Sequence, residues 1–131
     1  MKTRTPKSTM ELWVKYMNSH ELEKLTELYH ENAENMQFAI GTPLVGRAAI
    51  QSDLCSFFRN IPDTTTKAIR ILEDGDWAVV EWEGAGTFHN ADNGEKKKFT
   101  LNGCGFFKII AGQITVQRGY WDKYTWFSQV G

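Results

Sequence analysis

An acid set among rings is the feature of this sequence best suited to chemistry. Residues 113–131 read QITVQRGYWDKYTWFSQVG, and Asp122 stands there among Tyr120, Trp121, Tyr124, Trp126 and Phe127. A carboxyl group partly desolvated by aromatic area has its pKa pushed up toward the range in which it can take and return a proton. The same acid at a strand end can instead be solvated or bonded to a backbone amide, and the residues alone leave both open. Tyr120, two residues earlier, shares its face on a strand and can orient it. Arg118, four residues earlier, is roughly 13 Å away along such a strand, too far for direct pairing. Trp82 offers a flat wall for stacking a planar ligand. Trp13, Tyr29, Met36, Phe38, Phe58, Leu101, Gly103 and Tyr124 complete the candidates for a pocket lining, and the large apolar ones among them serve equally well as core.

Other chemistries find little support. His20, His30 and His89 lack the HxH or HxxxH spacing of a metal site. Cys55 and Cys104 are far apart with no CxxC motif, which fits small buried hydrophobes in a reducing compartment. GAG and GCG fall inside strand-like segments rather than before a helix, so neither reads as a phosphate loop. EKKK at 95–98 adjoins Asp92 and reads as a solvated hairpin end. Fifteen basic residues against sixteen acidic give a net charge of −1, so neither nucleic acid nor an anionic membrane is an expected partner. No cofactor is expected. The opening MKTRTPKSTM has no apolar run behind it, and no stretch of eighteen apolar residues exists, so a cytoplasmic protein of one domain, 1–131, is expected.

The elements that would position these residues follow from periodicity. Ser8 and Glu11 form a capping-box signature before Leu12, Trp13, Tyr16 and Met17, predicting a helix near 9–17. Asn18 and Glu21 repeat it before Leu22, Leu25, Leu28 and Tyr29. AENMQFAI (33–40) reads as a short strand and GTPLVG (41–46) as a loop; Ile50, Leu54, Phe57 and Phe58 then predict a third helix ending near Ile61 and Pro62. Four long period-two segments follow, at 64–72, 76–90, 95–110 and 113–127, joined by short Gly-containing turns, as in an antiparallel meander. Alternation puts Ala78, Val80, Trp82, Gly84, Gly86 and Phe88 on one side of the second segment. It puts Phe99, Leu101, Gly103, Gly105, Phe107 and Ile109 on one side of the third. In the last segment both faces carry a charge and an aromatic, and periodicity does not say which is inward. Glycines within strands mark bends, so the predicted class is α+β: a cone-shaped roll of a curved four-strand meander plus a short strand, packed on three helices of the N-terminal half.

This order, with GTPLVGRAAI before the third helix, WAVVEWEGAGTF in the second long strand and GQITVQRGYWD near the end, resembles the SnoaL-like branch of the nuclear transport factor 2-like superfamily. The resemblance implies that Asp122 points into the cone as a pocket carboxylate, with Tyr120 beside it. The epoxide-hydrolase arrangement of that superfamily is matched only at this Asp, since Trp82, Gly84, Met36 and Phe38 stand where its other residues would be. The function expected is binding of a small, largely apolar metabolite, with cofactor-free isomerisation, cyclisation or elimination at Asp122. A non-catalytic binding or dimerisation module of the same fold is the alternative. On the outer side of the sheet, Cys104, Phe106 and Trp121 would form an apolar patch for a homodimer.

Overall fold

Thr5, Pro6 and Ser8 start the first helix a turn earlier than expected. In the computed structural model, which describes residues 3–131, the Thr5 hydroxyl accepts from the Ser8 amide while Ser8 Oγ accepts from the Thr5 amide. Pro6 takes the first helical position, where no amide hydrogen is needed. Ser8 is therefore the inner residue of the capping box rather than the cap. The resulting helix α1, Pro6–Ser19, buries Met10, Trp13 and Met17 along one face. Asn18 does not cap the next helix, α2 at Leu22–Glu27; its amide bonds both the N–H and the C=O of Thr66, pinning α1 to the sheet.

The remaining elements are β1 Tyr29–Gln37, β2 Leu44–Val45, α3 Arg47–Asn60, β3 Thr65–Asp74, β4 Trp77–His89, β5 Lys96–Ile110, β6 Gln113–Trp121 and α4 Lys123–Val130. They form one six-stranded sheet in the order β2-β1-β6-β5-β4-β3. The meander from β3 to β6 is antiparallel, as periodicity predicts, and β1 closes onto β6 in parallel. The α+β class stands, with a second short strand and a fourth helix added. That helix replaces the end of the expected strand 113–127: Asp122 breaks the strand and its carboxylate accepts from the Thr125 amide at 2.8 Å, capping α4. Where β6 has ended, the Gln129 amide of α4 exchanges hydrogen bonds with the backbone N–H and C=O of Thr100 on β5, at 3.0 and 2.8 Å.

Helices α1 and α3 cover the inner face of the sheet. Met10, Leu25, Tyr29, Ala33, Ile50, Val80, Phe107 and Ile114 form the centre of the core. A smaller cluster of Ile61, Phe99, Leu101 and Val130 sits under α4. One inner row runs Trp82, Gly103, Trp121 across β4, β5 and β6. Gly103 is what lets the two indoles share it: a Cβ there would lie 2.5 Å from the Trp82 ring and 2.6 Å from the Tyr120 carbonyl oxygen. The backbone oxygen cannot step aside without disturbing the β5–β6 ladder. Gly103→Ala is therefore expected to cost about 1–3 kcal/mol by overpacking, measured as a lower urea midpoint at unchanged slope.

Candidate functional site

Between the inner face of the sheet and the helices lies a cavity of about 480 Å³. Its walls are ring-rich. Trp13, Phe57, Trp82, Phe99, Phe107, Trp121 and Trp126 all contribute, and Trp126 stands edge-on to Phe88, Phe99 and Trp121 at centroid distances of 5.4, 4.7 and 6.4 Å. The helix that sequence periodicity missed thus supplies one end of the cavity. Helical spacing on α3 brings Asp53, Leu54, Phe57 and Asn60 to the same lining, its C-cap adds Ile61, and alternation on β1 brings Asn35 and Gln37.

Two hydrogen-bond chains run along the lining. In the first, Trp13 Nε1 donates to the Tyr29 hydroxyl at 3.0 Å, and that hydroxyl donates to Gln117 Oε1 at 2.6 Å. Tyr29 is only 1% exposed, and burial pushes its phenol pKa well up. It stays neutral and acts as a relay of hydrogen bonds. In the second, Trp121 Nε1 donates to Gln37 Oε1 at 3.0 Å, and Gln37 Nε2 donates to Asn35 Oδ1 at 2.8 Å. Gly119 leaves the space for the Gln37 amide, which a Cβ at that position would overlap.

Asp53 is the one carboxyl of the lining, and no Lys, Arg or His lies with it among the described residues. It sits at the rim, where its outer surface meets water while protein packed behind it desolvates the carboxyl and raises its pKa above the ordinary value of 3.8. Among the described residues its carboxylate has no ion-pair or hydrogen-bond partner. Its charge is close enough to Tyr29 to help disfavour the phenolate. A second, more open depression of about 470 Å³ is lined by Asp63, Thr87, Lys98 and Gln129 among others. The Asp63 carboxylate and the Gln129 amide are already bonded to Thr87 and Thr100 there, leaving little to act on a ligand.

Trp13, Tyr29, Trp82 and Leu101, all expected at the site, line the cavity. The other expected residues lie elsewhere. Asp122 is exposed at the start of α4, where hydrogen bonds from the Thr125 hydroxyl and amide hold its pKa below the ordinary value, the opposite of the expected shift. Tyr120 points to the outer face and stacks on Phe38 at 4.7 Å, so neither ring reaches the cavity. Tyr124 is 79% exposed on α4. Met36 falls on the outer side of β1, one residue out of phase with Asn35 and Gln37. Phe58 stacks on His20 while its neighbour Phe57 faces the lining. Gly103 makes room for Trp82 rather than touching a ligand. Trp121, expected outside, faces in, because its partner across the ladder is the inward Gly103. Cys104 and Phe106 do lie on the outer side, opposite Tyr120 and Arg118.

The residues that sequence reasoning missed carried local signals. Asp53 interrupts the stripe Ile50, Leu54, Phe57 at helical spacing, and an acid on a helix's inner face is a candidate site by itself. Asn35 and Gln37 alternate with Ala33, which is fully buried.

A fold and a cavity of this kind define a class. The sequence profile of the SnoaL-like domain matches residues 10–117, and the chain belongs to that family. No curated protein matches the sequence. Among solved structures, a candidate SnoaL-like polyketide cyclase from Shewanella denitrificans OS-217 superposes with a TM-score of 0.84 at 14% identity, over 93% of each chain. A hypothetical protein of ketosteroid isomerase-like fold from Catenulispora acidiphila DSM 44928, in complex with trimethylamine, gives 0.81 at 17% identity over 96% of this chain and 93% of its own. Wild-type IdmH, a candidate polyketide cyclase from Streptomyces antibioticus, gives 0.81 at 22% identity over 98% and 99%. At these identities the likeness establishes the shared cone fold. Among the described residues no helix is long and apolar enough to cross a membrane, and no cluster of His, Cys, Asp or Glu has the makings of a metal site.

The placement of Asp122 has a measurable consequence. Its lowered pKa means that the capping bond contributes stability above pH 3.8 and that this is lost as pH falls through the still lower folded-state value. Asp122→Ala is expected to lower the melting temperature at neutral pH, with the deficit shrinking in strong acid.

Proposed function

We propose that the cavity binds a small, largely apolar and planar metabolite and that Asp53, rather than Asp122, moves a proton on it. The observation that carries this reading is an unpaired carboxyl of raised pKa on the lining of a cavity walled by rings. A carboxylate so placed can take a proton from a ligand and, once protonated, return it. On a ligand carbonyl compound, the Asp53 carboxylate takes a proton from the carbon beside the carbonyl. The C–H electron pair becomes the C=C bond of an enolate and the carbonyl π pair moves to oxygen. Where a C=C adjoins the deprotonated carbon, return of the proton to its far end gives isomerisation; attack of the enolate carbon on a second carbonyl, with Asp53 passing its proton to the new alkoxide oxygen, gives ring closure. Membership of a family whose structural neighbours include candidate polyketide cyclases fits that chemistry. The absence of a second acid or a histidine from the described lining favours a ligand-binding module as the competing reading.

Proton NMR in heavy water separates the two. With 2-acetonaphthone as probe, wild type should exchange the methyl protons for deuterium, and Asp53→Asn should slow this by at least about 100-fold without loss of binding. Binding without exchange by wild type leaves the binding module. Because the folded-state pKa of Asp53 is raised, its ionisation disfavours the folded state: its contribution is most favourable below pH 3.8 and is lost as pH rises through the folded value. Asp53→Asn should therefore melt higher than wild type at neutral pH, with the difference closing toward pH 3.

The outer face of the sheet supports a homodimer. Phe38, Phe106 and Tyr120 are exposed there as a contiguous aromatic patch, with Tyr120 4.7 Å from Phe38 and 5.7 Å from Phe106 between ring centroids. Cys104 adjoins it, whereas Trp121 is withdrawn from it into the cavity. Light scattering should give twice the 15.0 kDa chain mass for wild type and the single mass for Phe106→Glu.

A further inference from the structure

The two hydrogen-bond chains along the cavity share a direction. An indole N–H can only donate. Trp13 therefore makes the Tyr29 oxygen an acceptor, so the phenolic hydrogen must go to Gln117, and the atom it meets is Oε1. The Gln117 amide is thereby fixed with its carbonyl toward Tyr29 and its NH2 group away from it. Trp121 imposes the same order on the second chain: its indole takes Gln37 Oε1, which leaves Gln37 Nε2 to donate to Asn35 Oδ1 and points the Asn35 NH2 group away from Gln37. Each chain begins at a group that cannot accept and ends at a primary amide with spare donors.

Those two terminal amides are neighbours. Asn35 and Gln117 are register partners on the adjacent parallel strands β1 and β6, about 4.8 Å apart as strands in a sheet are. Each is 7% exposed and each lines the cavity. Among the described residues no protein group accepts from Asn35 Nδ2 or Gln117 Nε2, and no buried side-chain nitrogen or oxygen is left both sealed from solvent and unpartnered. The spare N–H groups consequently open onto the cavity.

We infer that Asn35 and Gln117 form a paired donor site for one carbonyl oxygen of a neutral, planar ligand. The inference rests on the reading of the aromatic cavity as a ligand site and adds the functional group that the site selects. A purely apolar ligand would strip water from both amides and give nothing back, leaving buried donors unmade. A carboxylate would satisfy them but would bring a negative charge into a lining that already holds Asp53 and, among the described residues, no cation. A ketone, quinone or lactone oxygen meets both conditions. The donors that would meet that oxygen are already held in place by two tryptophans.

Three naphthalene probes of one ring system test this on the folded protein, with Trp fluorescence as the binding readout: 2-acetonaphthone, 2-ethylnaphthalene and 2-naphthoate. Wild type should bind the ketone on the order of tenfold more tightly than the hydrocarbon, as expected for one to two added hydrogen bonds, and more tightly than the carboxylate at neutral pH. Gln117→Glu and Asn35→Asp, which keep shape and the acceptor oxygen but remove the amide donors, should erase the preference of ketone over hydrocarbon while hydrocarbon affinity holds. A wild-type measurement guards against variants that fold poorly: the side-chain NH2 resonances of Asn35 and Gln117 in 15N-resolved spectra should move downfield with the ketone and not with the hydrocarbon. Equal affinity for ketone and hydrocarbon, or unmoved NH2 resonances on ketone binding, overturns the donor site while leaving the aromatic cavity in place. Tightest binding of the carboxylate overturns its preference for a neutral ligand. Failure of wild type to bind any probe overturns both the site and the cavity reading on which it rests.

Discussion

The buried hydroxyl of Tyr29 is the constraint around which this structure is arranged. A phenol this far from water must have its oxygen and its hydrogen both bonded, and the partners come from different parts of the chain: Trp13 on α1 and Gln117 on β6, 16 and 88 residues away. Satisfying one hydroxyl therefore fixes the helix against the sheet and sets the register of β1 beside β6. Arg47 reinforces the same point by donating from Nε to the Tyr29 carbonyl, which brings the start of α3 to the same strand. With α1, β1, β6 and α3 tied at one residue, the cavity bounded by them has little freedom to collapse.

Aromatic area contributes in two ways that the fold keeps apart. On the inner face, Trp82 and Trp121 flank a glycine and stand as walls. On the outer face, Tyr120 stacks on Phe38 and meets Phe106 edge-on. The period of two makes this division sharp: a shift of one residue in β6 would exchange Trp121 for Tyr120 and reverse the character of both faces. The bonds from Trp121 to Gln37 and from Tyr29 to Gln117 hold that phase.

The fold was largely legible because β4 and β5 alternate without ambiguity; every inward residue expected on them, from Ala78 to Phe88 and from Phe99 to Ile109, falls on the side that faces the helices. The site was less so, for physical reasons. In β6 both faces carry rings and charge, and pattern alone cannot choose between them; the choice is made by tertiary pairing of Trp121 with Gly103. The run DKYTWFSQ has strand-forming aromatics but also the Asp-x-x-Thr spacing of a helix cap, and the cap prevails because Trp126 and Val130 can then bury against Phe99 and Leu101. Asp53 was easily passed over, since an acid on a helix is ordinarily read as solvated, and only its phase with Ile50, Leu54 and Phe57 brings it to the rim of the cavity. The resemblance to SnoaL-like proteins carried the architecture faithfully, whereas Asp122, which it implied to point into the cone, caps α4 at the surface.

The contact between Gln129 and Thr100 bears on a different hazard. Beyond Gly103, β5 has no strand on its β6 side, and such a bare row of amides and carbonyls is a template for pairing with another chain. A single glutamine side chain, offering one acceptor and one donor, satisfies the N–H and C=O of Thr100 in that row in place of a strand. The last helix is thus a guard against edge-to-edge aggregation as well as a wall of the cavity.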